Sequence, residues 1–422
     1  MFENLNAHEN KYFNILVVED NIGIIEALCY ILQESNYIVS VATNGKQAIE
    51  ILRRADNFNL VLLDINMPVM NGYETCKVIR EDDKLKDIPI IFLTALSDSD
   101  SIIKGFEVGV QDYITKPFNS RELLARVETH LQLKDRTDQL KIANQSLHDI
   151  NKEITDSINY AKIIQQALFP PVELLARNIP DHFIFYKPKD IVSGDFYWFK
   201  KVDNLFYIVA ADCTGHGVPG AFMSMLGISM LNEITSNQEP FSANLILNEL
   251  RNRIKSSLQQ FEINSEINDG MDISMCILDL NTKIIQYSGA YNPLYLIRFD
   301  NDQNKYLLIE TRADNMPVGK YPIDDQSFTN HVISLKQNDS IYIFSDGYIS
   351  QFGGETGEKF KKRRFQQILL EIQDKRMADQ KEILEKTLLS WQGKQKQVDD
   401  ILVIGIKINV QQFENVDDIN AL

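Results

Sequence analysis

From Asn14 onward, short apolar runs alternate with longer amphipathic stretches. The runs are Ile15-Leu16-Val17-Val18, Leu60-Val61-Leu62-Leu63, Ile90-Ile91-Phe92-Leu93 and Tyr113-Ile114. Each is bounded by turn or charged residues, which suits strands buried on both faces. Between them apolar residues recur at helical spacing: Ile24, Ile25, Leu28, Ile31 and Leu32 in one stretch, Ala48, Ile49, Ile51 and Leu52 in another. This β-α repeat predicts an α/β domain, a doubly wound five-stranded parallel sheet with helices on both sides.

A helical pattern then starts at Asn119-Ser120-Arg121-Glu122 and meets no Gly or Pro until Phe169-Pro170-Pro171. Leu133, Leu140, Leu147, Ile154, Ala161 and Leu168 recur every seven residues, with Ala143, Ile150 and Ile164 at a second, partial position. Sustained heptads predict a coiled coil, and unpaired they would expose a long apolar stripe, so a homodimer through this segment is expected. Asn144 and Asn151 stand where the second position would be apolar, a device that fixes register at some loss of stability.

From Asp181 the pattern shifts towards period two. Phe183–Tyr186, Leu205–Ala211, Asp272–Leu278, Ile284–Ser288, Asp339–Phe344 and Ile401–Ile404 read as strands. Gly220–Ile234, Ala243–Phe261, Phe360–Ile372 and Asp379–Leu389 read as helices. Clustered strands with grouped helices predict an α+β sandwich.

A chain of 422 residues exceeds one ordinary core, so at least two domains are expected. A net charge of −16 disfavours nucleic acid and anionic membrane as partners, and the basic run Lys361-Lys362-Arg363-Arg364 is too short to reverse that. Met1-Phe2-Glu3-Asn4 has no basic flank or apolar run of a signal peptide, and no stretch approaches the roughly 20 apolar residues of a membrane span. Cys29, Cys76, Cys213 and Cys276 form no Cys-x-x-Cys pair and sit among apolar neighbours, as reduced thiols of a cytoplasmic protein do.

The chemistry collects at strand ends. In the first domain Glu19-Asp20 follows the first strand, Asp64 the third, Thr94 the fourth and Lys116-Pro117 the last. An aspartate can accept a phosphoryl group, carboxylates can hold a divalent cation that neutralises it, and a lysine and a hydroxyl can bind its oxygens. Singly, Thr94 could be a helix cap and Lys116 a surface charge; in this order they form one constellation.

Val17-Val18-Glu19-Asp20-Asn21, Leu62-Leu63-Asp64 through Asn71-Gly72, Thr94-Ala95 and Lys116-Pro117-Phe118 resemble the receiver domain of two-component response regulators, over about Asn14 to Leu133. The resemblance implies Asp64 as phosphoacceptor, and Mg²⁺ held by Glu19, Asp20, Asp64 and the Asn66 carbonyl. It implies Thr94 and Lys116 on the phosphoryl group, Tyr113 as the aromatic switch, and a cis Lys116–Pro117 bond. A sensor histidine kinase or phosphotransfer protein would be the donor.

In the second domain Asp195 precedes Phe196-Tyr197-Trp198, Asp212 ends one strand, Asp346 follows another, and Asp399-Asp400 opens the last. Oxygen ligands without a Cys or His set favour Mg²⁺ or Mn²⁺ over zinc, and two such ions roughly 4 Å apart can lower the pKa of a shared water. His216, in a Gly-rich turn, reads as a supporting group. Cys213 lacks the Cys-x5-Arg loop of thiol phosphatases.

Asp190-Ile191-Val192-Ser193-Gly194-Asp195, Ala211-Asp212-Cys213-Thr214-Gly215-His216-Gly217, Phe344-Ser345-Asp346-Gly347 and Gln397-Val398-Asp399-Asp400-Ile401 resemble the PPM-type Ser/Thr phosphatases of the sporulation stage II and sigma-factor-regulator branch. The likeness extends from about Ile158 to Ile408 and includes Ser288-Gly289-Ala290 and Met316-Pro317-Val318-Gly319. It implies an αββα sandwich in which Asp195 and Asp212 hold two Mn²⁺ or Mg²⁺ ions, Cys213 offers its carbonyl, and Asp346 with Asp399, or Asp400 in its place, completes the set. Trp198 stands where many relatives carry another Asp. The phosphate-binding arginine of eukaryotic relatives has no counterpart, with Lys189 a candidate substitute.

These readings divide the chain into a tail (1–13), a receiver (14–133), a helical linker (134–170), a phosphatase domain (171–410) and a second tail (411–422). The expected function is a response regulator whose phosphorylation controls a protein Ser/Thr phosphatase. Its substrate would be a phosphoserine or phosphothreonine protein, a STAS-type anti-sigma-factor antagonist by resemblance. The alternative is a receiver-controlled adaptor with a non-catalytic phosphatase-like domain.

Overall fold

The computed structural model describes residues 12–409 apart from 56, 96–98, 237–241, 261–268, 280, 322–325 and 356. The reading of the first four residues and the 411–422 tail lie outside the described residues. The chain divides between Asn151 and Lys152, inside one long helix.

In the first unit β1 (Asn14–Val18), β2 (Ile38–Ala42), β3 (Phe58–Asp64), β4 (Ile90–Thr94) and β5 (Asp112–Thr115) form a parallel sheet in the order β2-β1-β3-β4-β5. Helices α1 (Ile22–Glu34), α2 (Gly45–Arg54), α3 (Gly72–Glu81) and α4 (Ser99–Glu107), and the start of α5 (Ser120–Leu168), connect and follow the strands. The inner strands β1, β3 and β4 are mostly apolar because both of their faces are covered. Leu16, Val18, Val61 and Leu63 pack with Cys76 and Ile79 of α3. Ile15, Val17, Leu60 and Leu62 pack with Leu28 of α1 and with Leu123 and Val127 of α5.

The first turns of α5 are fixed by those leucine and valine contacts and by Asp112, which accepts from Arg126 at 2.7 Å. Further along, Lys141 Nζ reaches Asp87 at 2.6 Å. The heptad residues Leu133, Leu140, Leu147 and Ile154 are exposed on the single chain.

The second unit adds α6 (Val172–Asn178), β6 (His182–Lys187), β7 (Phe196–Val202), β8 (Leu205–Cys213), α7 (Gly217–Ile234), α8 (Ala243–Ser257), β9 (Gly270–Asp279) and β10 (Ile284–Ala290). The chain continues through β11 (Leu294–Asp300), β12 (Lys305–Thr311), β13 (Val318–Gly319), β14 (His331–Ser334), β15 (Ser340–Phe344), α9 (Gly347–Ser350), β16 (Phe352–Gly353), β17 (Glu358–Lys359), α10 (Lys362–Glu371), α11 (Met377–Gln392) and β18 (Ile401–Lys407). One antiparallel sheet runs β14-β10-β9-β8-β7 with β13 on β9; the other runs β12-β11-β15-β18-β6.

The alternation along β8 sets the layers. Phe206, Ile208 and Ala210 point between the sheets, meeting Leu296, Ile341, Ile343, Leu402 and Ile404. Tyr207, Val209 and Ala211 point the other way, onto Ile228 and Leu231 of α7 and Leu247 and Leu250 of α8. The second sheet is covered by Phe365 and Leu369 of α10 and Leu384 and Leu388 of α11. The expected αββα sandwich is therefore the observed one.

Several elements differ from the sequence reading. The stretches that become β7, β11, β12 and β14 carry no predicted strand. The predicted helix from Ala243 to Phe261 ends at Ser257, and Gln259 turns the chain with φ 52°; Phe261 itself is outside the described residues. Among the described residues no helix is long and apolar enough to cross a membrane.

Candidate phosphoacceptor and acidic catalytic sites

The receiver residues converge at the carboxyl ends of β1, β3, β4 and β5, where a doubly wound sheet opens its crevice. Glu19 and Asp64 are buried and Asp20 is exposed. Their carboxylate oxygens lie within 4.8 Å of one another. Lys116 Nζ donates to Glu19 Oε2 at 2.6 Å and to Asp64 Oδ1 at 2.8 Å. Burial pushes both carboxyls above their ordinary range, and the Lys116 ammonium partly offsets it. Three oxygens this close with a single cation beside them suit a hard divalent ion.

The loop after β3 is drawn tightly back. Gly72 N–H donates to the Ile65 carbonyl at 2.9 Å, and a Cβ on Gly72 would sit 2.4 Å from the Asp64 carbonyl oxygen. Asn66 is exposed on this loop, next to Asp64 but for Ile65. Thr94 and Tyr113, which the resemblance implies as a switch pair, line one small cavity with Phe92 and Phe106. The Lys116–Pro117 bond is cis, as the resemblance implies.

In the second unit the aspartates come from both sheets to one end of the sandwich. Asp195 enters β7 and Asp212 closes β8, while Asp346 follows β15 and Asp399-Asp400 precede β18. Ser345 Oγ donates to Asp195 Oδ2 at 2.5 Å, crossing from one sheet to the other. Glycines permit the approach. A Cβ on Gly347 would lie 1.9 Å from the Asp400 carbonyl oxygen, and one on Gly194 would lie 2.5 Å from that of Gly215.

Asp399 and Asp400 are distinguished by their partners. Asp400 accepts from the backbone N–H of Lys189 and of Gly194, both at 2.7 Å, one on each carboxylate oxygen. It ties the last strand to the Ser193-Gly194-Asp195 loop. Asp399 uses one oxygen for the Asp400 N–H at 2.9 Å. Lys189, the candidate substitute for arginine, holds Asp400 through its backbone; burial raises the Asp399 pKa, and the Lys189 charge offsets a small part of that.

One acid escaped the sequence reading. Asp272, near the start of β9, lies opposite Asp212 in the β8–β9 register. Burial, then the Asp346 charge, pushes its pKa up to about 7. Asp195 is driven well above the ordinary carboxylate range by burial and the Asp212 charge, and Asp212 by burial and Asp346. Burial and mutual repulsion raise these acids together, the condition a pair of divalent cations relieves. They spread more widely than the receiver set: among the described residues no three of them bring ligand oxygens within 4.8 Å.

The supporting groups fall as follows. The Cys213 side chain lies in the apolar cluster under α7, and burial raises its thiol pKa, which removes it from thiolate chemistry. His216 is exposed, with Nδ1 2.7 Å from Asp190 Oδ2. Gln165, near the end of α5, is buried; its amide donates to the Ser193 carbonyl at 2.6 Å and Ser224 Oγ at 2.8 Å. Trp198 is buried in the helix-side core.

Residues 15–128 match the response regulator receiver domain, and residues 203–409 match stage II sporulation protein E. The SiaA-PP2C domain of Pseudomonas aeruginosa is 29% identical, covers 62% of this chain and 99% of its own, and superposes with a TM-score of 0.55. A probable transcriptional regulator ycf27 of Cyanidium caldarium is 37% identical over 36% of this chain and 59% of its own length. The DNA-binding dual master transcriptional regulator RpaA of Synechocystis sp. is 33% identical over 42% of this chain and 75% of its own. The chain thus spans only part of these curated relatives. It belongs to the response regulators, with a receiver domain joined to a PPM-type phosphatase domain of the stage II sporulation protein E family.

Proposed function

We propose that this chain is a protein serine/threonine phosphatase whose activity is set by phosphorylation of Asp64. The observation that carries the reading is the gathering of Asp195, Asp212, Asp272, Asp346 and Asp399 from both sheets at one sandwich end, with the pKa of Asp195, Asp212, Asp272 and Asp399 raised. Asp195, Asp212, the Cys213 carbonyl, Asp346 and Asp399 would hold two Mn²⁺ or Mg²⁺ ions. Asp400, with both oxygens occupied by backbone N–H groups, acts as their brace. When bound, such ions supply Lewis acidity towards water and the phosphoryl oxygens. No protein nucleophile is required; the chain's part is to orient the acids through Ser345, Gly194 and Gln165 and to exclude the Cys213 thiol.

In the receiver, Asp64 accepts the phosphoryl group from a histidine kinase or phosphotransfer protein. Glu19, Asp20, Asp64 and the Asn66 carbonyl would hold Mg²⁺, which would neutralise the incoming charge, and Lys116 and Thr94 would bind the added oxygens. Tyr113 moves into the space it shares with Thr94. A homodimer through the exposed α5 heptads carries the change, a shift in population between packings. The substrate is a phosphoserine or phosphothreonine protein, with a STAS-type antagonist the first to try.

The test is turnover of such phosphoproteins with and without a small-molecule phosphodonor. Asp212→Ala abolishes turnover; Asp64→Ala keeps the basal rate and loses the response to the donor. A fully active Asp212→Ala chain sinks the site assignment. A wild-type chain that binds phosphoprotein yet never turns it over with Mn²⁺ is an adaptor.

A further inference from the structure

Beside the acidic centre lies a cavity of about 330 Å³ bounded by Asp272, Asp346, Tyr291, Pro293, Tyr295 and Lys362. Its floor therefore belongs to the proposed catalytic centre, while its walls do not. Lys362 opens α10. Its ammonium is 2.6 Å from Glu310 Oε1 and 5.8 Å from the centroid of the Tyr295 ring. The opposite wall is a loop pinned to β9: the Asn292 amide donates to the Asp272 carbonyl at 3.2 Å. That loop holds Tyr291 half-exposed with φ 57°, a left-handed conformation costly for an aromatic residue. The residue preceding Lys362 is strained as well, with Lys361 at φ 71° and ψ 148°.

Charge decides what this cavity takes. The chain carries a net −16, which on average disfavours an approaching phosphoryl dianion. The basic run Lys361-Lys362-Arg363-Arg364 lies beside the cavity, and its members point to different places. Lys361 pairs with Glu358, Arg364 stacks over Trp391, and Arg363 lines a separate groove with Phe299 and Tyr306. Lys362 is the member that lines the cavity shared with Asp272 and Asp346. A half-exposed lysine held over a tyrosine ring and an exposed aromatic opposite form a cleft for a charged group on a peptide.

We propose that this cavity is the substrate cleft, in which Lys362 receives the phosphoryl dianion of a phosphorylated peptide segment and Tyr291 packs on the flanking residue. The assignment rests on the phosphatase reading above and adds the residue that recruits the substrate. Lys362 is a binding residue here, taking the part that an arginine plays elsewhere in phosphate recognition, as a point charge and not a fork.

The test uses the full chain with Mn²⁺, p-nitrophenyl phosphate and a phosphothreonine peptide. Lys362→Gln raises KM for both, on the order of tenfold, with kcat held within about twofold, the signature of lost binding. It weakens inhibition by inorganic phosphate to a similar extent, and Lys362→Arg restores both. Glu310→Gln, which releases the ammonium from its partner, lowers KM. Arg363→Gln makes the same change in charge one residue away and leaves KM unchanged. A wild-type KM in Lys362→Gln, or an equal rise in Arg363→Gln, overturns the cleft while the phosphatase reading stands. A wild-type chain inert towards both substrates overturns the two together.

Discussion

The mutual repulsion of the acidic centre has a measurable cost, and Asp272→Asn isolates it. Asp272 faces Asp212 across two hydrogen-bonded strands, and its pKa rises from the ordinary 3.8 to about 7 through burial and the Asp346 charge. The folded state thus holds a proton that the unfolded state has released. The stability this contributes is complete below the unfolded pKa and is lost as pH rises through about 7. A shift of this size corresponds to roughly 4 kcal/mol, and screening at the partly exposed edge of the residue reduces it to about 2 kcal/mol. Asparagine keeps the shape and removes the charge. In metal-free protein at pH 8 the variant should therefore melt about 4–8 °C above wild type, at roughly 2–4 °C per kcal/mol for a domain of this size. At pH 4, where wild-type Asp272 is itself neutral, the two should coincide. The readout is clean because both tryptophans, Trp198 and Trp391, lie in the phosphatase domain, so their fluorescence follows that unit. Saturating Mn²⁺ should shrink the pH 8 difference, since ions that bind only the folded form stabilise the wild-type acids. No gain at pH 8, or the same gain at pH 4, would refute the electrostatic account.

Three further outcomes are expected. Gln165→Ala leaves the buried Ser193 N–H and carbonyl short of partners, which should cost about 1–3 kcal/mol in melting experiments and depress turnover by loosening the Asp195 loop. Gly347→Ala drives a methyl group into the Asp400 carbonyl, a backbone contact that cannot move aside; destabilisation of about 2–3 kcal/mol and weaker Mn²⁺ binding should appear together in calorimetry. Paired Leu140→Asp and Leu147→Asp substitutions place charges on the exposed heptad stripe; on the proposed pairing, sedimentation should give a dimer for wild type and a monomer for the variant.

What the sequence disclosed, and what it withheld, follows from where each signal resides. The receiver was legible because the inner strands β1, β3 and β4 are buried on both faces and each leads into a chemically distinct residue. Glu19, Asp64, Thr94 and Lys116 therefore announce themselves in order. The edge strand β2 is half-exposed along Ile38–Ala42, and its run drew no separate notice. The phosphatase acids were legible as motifs because Gly194 and Gly347 accompany them, and both glycines are needed where backbones meet. The β11–β12 hairpin was missed because β12, at the sheet edge, is largely half-exposed and shows no buried alternation.

Asp272 and the Asp399–Asp400 pair mark the boundary of what a linear reading can reach. Asp272 opens a strand as many polar residues do, and only the pairing of β9 with β8 sets it against Asp212, sixty positions earlier. Adjacent aspartates are chemically identical on paper. What separates them is that Asp400 meets the N–H groups of Lys189 and Gly194, more than two hundred residues upstream, while Asp399 keeps an oxygen in reserve. Asp400→Asn retains one acceptor for the two backbone donors and should lose stability before it loses metal affinity. Asp399→Asn should do the reverse: a metal-free melting point no lower than wild type and a sharply weakened Mn²⁺ titration. Calorimetric titration of both variants decides it, and equal loss of Mn²⁺ affinity in the two would show that Asp400 is a ligand as well as a brace.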